Sequence, residues 1–406
     1  MKPEIKQRIN QLNNGEIPNG YKKTSVGIVP IEWTEHTLGD IFKFKNGINK
    51  EKEAFGQGTP IVNYTDVWKK RGLKAEDIKG RVVLSKNEIQ NYEVKCGDVF
   101  FTRTSETIDE IGYSSVLLED IENTIFSGFV LRARPYNNLV SKEYHQYCYS
   151  EPQMRHEIIK RSSMTTRALT SGPMLSQVAI NLPSHREQSR IAEILMKWDA
   201  AIELQEQYII NLKKKKLSIM RTLFSFSNEC ILPFKDVVKP HKYKKELQTS
   251  QYQETGSIPV VDQGKNKIVA YTDNKDYIIS PPEKGLLLFG DHTTEVKYIN
   301  YEFAVGGDGV KLFEEKVPYL LKYVYYYLIT FPFLIEGYKR HYSILKNKPI
   351  KFPIREGKID RKKMDEVVLI LSRFDEMIDL HTTKMGELKK QRKALQQYLL
   401  NGIVRV

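Results

Sequence analysis

WDAAIELQEQYIINLKKKK, from Trp198 to Lys216, and FDEMIDLHTTKMGELKKQR, from Phe374 to Arg392, are two versions of one stretch, displaced by 176 positions. The match runs outward on both sides without a gap. Steps of four and three through the first copy land on Ile191, Leu195, Trp198, Ile202, Gln205, Ile209, Leu212, Lys216, Ile219 and Leu223. The same displacement gives Val367, Leu371, Phe374, Ile378, His381, Met385, Leu388, Arg392, Leu395 and Leu399. Both series are heptad seams, and both are interrupted by polar residues at the same two places.

Each copy therefore predicts a long helix with one apolar stripe, and neither stripe is stable facing water. Two equal helices, each closing an equal module, pack most simply about an approximate two-fold axis, which makes them antiparallel. From Ile191 to Leu223 such a helix is about 50 Å long at roughly 1.5 Å per residue, the dimensions of a spacer. The four shared polar seam positions, Gln205 with Lys216 and His381 with Arg392, should fix register at a cost in stability, so leucine at all four should raise the melting temperature.

The 406 residues exceed the usual limit of about 250 to 300 for a single core, so at least two domains are expected. The repeat divides the chain into a first module at 1–185, a first long helix at 186–226, a second module at 227–357, and a second long helix with a tail at 358–406. Hydrophobic content of 40% suffices for packed cores, and no apolar run reaches a bilayer span. YLLKYVYYYLITFPFLI, from Tyr319, is interrupted by Lys322 and Pro332 and reads as a buried helix. MKPEIKQRIN lacks the apolar centre of a signal peptide, so a cytoplasmic location is expected. Cys96, Cys148 and Cys230 have no paired spacing for a metal or a disulfide. The net charge of +13 favours a polyanionic partner.

The regions before the two helices also correspond. TPIVNY at Thr59 is echoed by SIPVVDQ at Ser257, GDVFFTRTSE at Gly97 by GLLLFGDHTTE at Gly285, and TIFSGFVLRARP at Thr124 by EFAVGGDGVKLFEE at Glu302. Helical stretches follow, YHQYCYSEPQMRHEI and YLLKYVYYYLITFPF, then the polar loops RSSMTTRALTSG and GYKRHYSILKN, each leading to an X-Pro strand. The fold class is thus α+β: two modules, each a twisted, antiparallel sheet with helices, joined by two long antiparallel coiled-coil helices in a pseudo-two-fold repeat. Arg103, Thr104, Ser105 and Arg167 in the first module, and His292, Thr293, Arg340, His341 and Tyr342 in the second, are of types that contact phosphates and base edges.

No constellation for catalysis emerges. SPPE at Ser280 resembles the Pro-Pro-aromatic loop of amino-methyltransferases, but Glu283 stands where a ring would stack on a flipped base, so the stretch reads as a turn. EVK at Glu93 and Glu295 lacks the acidic companions of a nuclease site. GGDG at Gly306 lacks the lysine of a phosphate loop. We assign no catalytic and no metal-binding residue.

YKKTSVGIVPIEWTEHTLGDI near the start, GDVFFTRTSE, LPSHREQSRIAEIL leading into the first helix, FGDHTTEVKYI and the paired helices resemble the specificity subunit of type I restriction-modification systems, over nearly the whole chain. KIDRKKMDEVVLIL departs from that pattern at the start of the second helix. The resemblance implies two target recognition domains, each reading half of an interrupted, asymmetric sequence in double-stranded DNA, with the helices setting the gap between halves. It implies no catalysis by this chain and no cofactor bound to it. Two modification subunits would bring S-adenosylmethionine, and restriction subunits would bring ATP-driven, magnesium-dependent translocation and cleavage, without any membrane. A stand-alone DNA methyltransferase or nuclease with a diverged site is the competing reading.

Overall fold

The computed structural model describes residues 2–68, 70–332 and 340–406. Residues 333–335 of the tyrosine-rich run and 337–339 of the second polar loop lie outside them. The chain divides into two compact units, Met1–Glu203 with Gly386–Val406, and Leu204–Met385. The cut falls inside both long helices, His185–Leu223 and Arg361–Leu400. Compactness follows packing and divides the chain differently from the four segments expected from sequence: each unit holds part of both helices.

In the first unit the main sheet runs in the order Phe42–Asn46, Val130–Pro135, Val99–Thr102, Ser114–Leu117 and Gly72–Leu73. All neighbours are antiparallel except the last pair, which is parallel. The second unit repeats the order with Val238–His241, Val310–Glu315, Leu286–Gly290 and Val296–Ile299, all antiparallel. The central strands come from GDVFF and GLLLF, and Val99 to Phe101 and Leu286 to Phe289 are fully buried.

A second small sheet is also repeated. Phe55–Val62 pairs antiparallel with Arg81–Val82 and parallel with Ile125–Phe126; Ile258–Val261 pairs antiparallel with Ala270–Thr272 and parallel with Ala304–Val305. These parallel pairs depart from a purely antiparallel reading. They join strands far apart in sequence, which a hairpin cannot do. A third ladder closes each module: Thr34–Thr37 with Ala179–Leu182, and Glu229–Pro233 with Pro349–Arg355.

The ladders deliver the chain into the long helices. Ser184 Oγ accepts the Glu187 N–H at 3.3 Å, and Asp360 Oδ1 accepts the Lys363 N–H at 3.0 Å. These caps are related by the same displacement of 176, so KIDRKKM keeps the cap while changing its residue type. Every seam residue, from Ile191 to Leu223 and from Val367 to Leu399, is buried or half-buried. In the first unit Ile191 and Leu195 join Leu399 and Leu400 in the module core; in the second, Met220 and Phe224 join Met364, Val367 and Leu371. Within each unit the helix halves run antiparallel.

The chain's two ends meet in the first unit. Tyr21 donates its hydroxyl to the Gly402 carbonyl at 2.6 Å, and Glu187 accepts from both Trp33, at 3.1 Å, and Arg405, at 2.7 Å. The tyrosine-rich run forms the helix Leu321–Thr330, with Tyr323, Tyr326 and Leu328 buried. Among the described residues no helix is long and apolar enough to cross a membrane.

Candidate nucleic-acid interface

The first module's candidates gather where the central strand ends. Thr104–Ser105 pairs with Ala168–Leu169, which pairs with Ser163–Met164. This small ladder brings GDVFFTRTSE and RSSMTTRALTSG to one place. Arg103 is pinned there: its backbone N–H donates to Phe129 O at 3.0 Å and its guanidinium to Gly128 O at 3.2 Å. Ser105 is buried and donates to Glu110, which also accepts from the Tyr64 hydroxyl at 3.3 Å. Arg167 is exposed, with Glu106 its partner at 3.1 Å. Thr104 is half-buried on the same edge. Arg167 thus faces solvent, while Arg103 and Ser105 are bonded into the loop beside the half-buried Thr104.

The second module builds its loop around Asp291, only 4% exposed. The Asp291 carboxylate accepts the Tyr342 N–H at 2.8 Å and so caps the short helix Tyr342–Asn347 from a distant turn. Its backbone carbonyl accepts the His341 N–H, also at 2.8 Å, and His341 is fully buried. Thr293 donates its hydroxyl to Gln263 O, and His292 donates its backbone N–H to Gln263 Oε1 at 3.1 Å. Arg340 is exposed. GGDG is the facing turn: Gly309 has φ +78°, its carbonyl accepts the Asp291 N–H at 2.8 Å, and an added Cβ would lie 2.9 Å from the His292 ring. Glycine is needed there for conformation and for close approach.

Basic residues missed by the sequence reading stand beside this loop. Lys242, Lys244 and Lys245 are exposed on the segment leaving Val238–His241, and with Tyr243, Lys311 and Tyr342 they line a cleft of about 610 Å³. The first module has Lys50 and Lys52 nearby in its own chain, but they follow the bridge from Ile48 to Ser127, whereas Lys242, Lys244 and Lys245 precede the corresponding bridge from Leu247 to Gly306. The run KYKK was the available signal.

Among the described residues no group of three or more His, Cys, Asp and Glu could hold a metal ion. SPPE is a turn, in which the Gly285 N–H donates to Pro282 O at 2.7 Å and Ser280 binds Glu302 at 2.8 Å. Exposed cations, hydroxyls and a tyrosine on loops held by a rigid sheet suit an extended anionic surface.

A family profile described as the type I restriction modification DNA specificity domain matches residues 30–214. The chain is 24% identical to the MjaX type I restriction enzyme specificity subunit of Methanocaldococcus jannaschii, over 95% of this chain and 97% of that one. It is 29% identical to the EcoR124I/EcoR124II specificity subunit of Escherichia coli, over 42% of this chain and 44% of the relative. A crystal structure of the type I restriction-modification S subunit from M. genitalium superposes with a TM-score of 0.57 at 15% identity, covering 95% of this chain and 97% of that one. At that identity the likeness is one of fold. Taken with the doubled module and its paired helices, the matches show that the chain is similar to type I restriction-modification specificity subunits along nearly its whole length.

Proposed function

We propose that this chain is the DNA-reading subunit of a type I restriction-modification complex, with modules 1–185 and 227–357 each reading one half of an interrupted, asymmetric site. The observation that carries this is the duplication of the modules: two sheets share an order of four strands, and each central strand runs into a loop of basic and hydroxyl-bearing residues, RTS in one and HTT in the other. Arg167 and Thr104 in one module, and Arg340 and Tyr342 in the other, are the contacts to bases or phosphates. Lys50, Lys52, Lys242, Lys244 and Lys245 follow the backbone. Arg103, Ser105, His292, Thr293 and His341 hold those loops in shape.

In this reading the two long helices set the gap between half-sites and dock two modification subunits, which supply S-adenosylmethionine. Restriction subunits supply ATP and magnesium chemistry, and the whole complex acts in the cytoplasm. The test is transfer of label from S-adenosylmethionine to DNA. We expect no transfer by the pure chain, and sequence-specific transfer once modification subunits are added. Transfer by the chain alone would support the stand-alone enzyme instead.

A further inference from the structure

Each unit contains a knot of three side chains that the functional reading leaves unused. In the first, Asp199 on the first long helix accepts from Arg392 on the second at 2.8 and 3.1 Å, and from the Tyr147 hydroxyl of the module at 3.0 Å. In the second, Asp375 on the second helix pairs with Lys216 on the first, and accepts from the Tyr326 hydroxyl at 2.7 Å. The displacement of 176 turns Asp199 into Asp375 and Lys216 into Arg392. Both tyrosines come from the corresponding helical stretches of the two modules. Between the units, the helices exchange roles: each gives an aspartate to one knot and a cation to the other.

Both cations are buried, Arg392 at 5% and Lys216 at 9% exposure, and each lies over its tyrosine ring, at 5.6 and 5.2 Å to the centroid. Two-helix packing needs no group from the module. Here the aspartate accepts from both the opposite helix and the module, so three elements share one carboxylate. Arg71 adds to the first knot, donating to Asp199 at 3.4 Å and to Gln396 at 3.2 Å. Directional charge-assisted bonds of this kind fix angle as well as contact, which apolar seam residues do not.

We propose that the two knots are positioning sites that select the spacer length: each sets the attitude of its module on the helix pair, and thereby which separation of half-sites the complex accepts. This rests on the proposed function. A base pair more or less moves one half-site by about 3.4 Å along the duplex, a change that a loosened joint would absorb and a tight one would reject.

The experiment is methylation by the full-length chain in complex with its modification subunits, on targets with the cognate spacer and with one base pair added or removed. Asp375→Asn keeps an oxygen for Tyr326 and discards the charge facing Lys216. Relative to the cognate target, its rate on the altered spacers should rise on the order of tenfold, the equivalent of ~1.4 kcal/mol of lost discrimination. Ile209→Ala, a seam substitution outside the knots, should lower the melting temperature and leave the ratio unchanged. Tyr326→Phe removes a single hydroxyl and serves if Asp375→Asn is inactive on every target; its ratio should shift in the same direction. Wild-type ratios in the knot variants, with or without a lowered melting temperature, would overturn the proposal. A wild-type complex that methylates nothing would overturn the functional reading instead.

Discussion

His145 lies 3% exposed, its Nδ1 2.7 Å from the Tyr149 hydroxyl and its ring packed against Phe42. Burial pushes its pKa from 6.5 down to about 4. As pH falls below 6.5 the unfolded chain takes up a proton that the folded chain refuses until about pH 4. Stability is therefore lost over that window, at up to about 1.4 kcal/mol per pH unit from this group. Melting curves from pH 7 to 4 should show a slope that His145→Gln reduces; parallel profiles would contradict this assignment. At the same scale, the residue types of the candidate site were legible and their roles were not. Arg103 and Arg167 look equivalent in sequence, yet one is tied to Gly128 and the other reaches solvent. That difference depends on a contact between segments 25 positions apart, to which local pattern is blind.

The long helices are the elements most clearly written in the sequence, because a seam of period 3.5 is local and repeated. Their polar interruptions divide into two kinds. Gln205 Nε2 lies 2.7 Å from His381 Nδ1, with the Tyr208 ring tilted against the imidazole at 4.5 Å between centroids, and these two seam residues are related by the repeat. Lys216 and Arg392 instead pair with Asp375 and Asp199, which lie off the seam. The expectation that leucine at all four positions would stabilise is revised accordingly. Leucine at Gln205 and His381 together should raise stability by about 1 kcal/mol, as replacement of polar seam pairs does. Lys216→Leu strands Asp375 and should cost roughly 1 to 2 kcal/mol, discounted because solvent reaches that carboxylate. Thermal unfolding of the two variants tests the division; a stabilised Lys216→Leu would contradict it.

For the whole molecule, the duplication announced two modules, but not that each compact unit would take half of both helices. Leu399 sits in the core of the first module because the last turn of the second helix returns there, a contact nearly three hundred positions from Phe101 in the same core. The parallel pairing of Phe55–Val62 with Ile125–Phe126 was hidden for the same reason. Loop echoes were visible, since both modules spend the same residue types at the same strand ends. The central claim is that these two modules read two different half-sites at a fixed separation. Methylome sequencing of a host carrying the complete system tests it most directly. The expected result is one motif of two dissimilar parts divided by a constant run of unspecified bases; a single uninterrupted motif, or a gap that varies from site to site, would contradict the account.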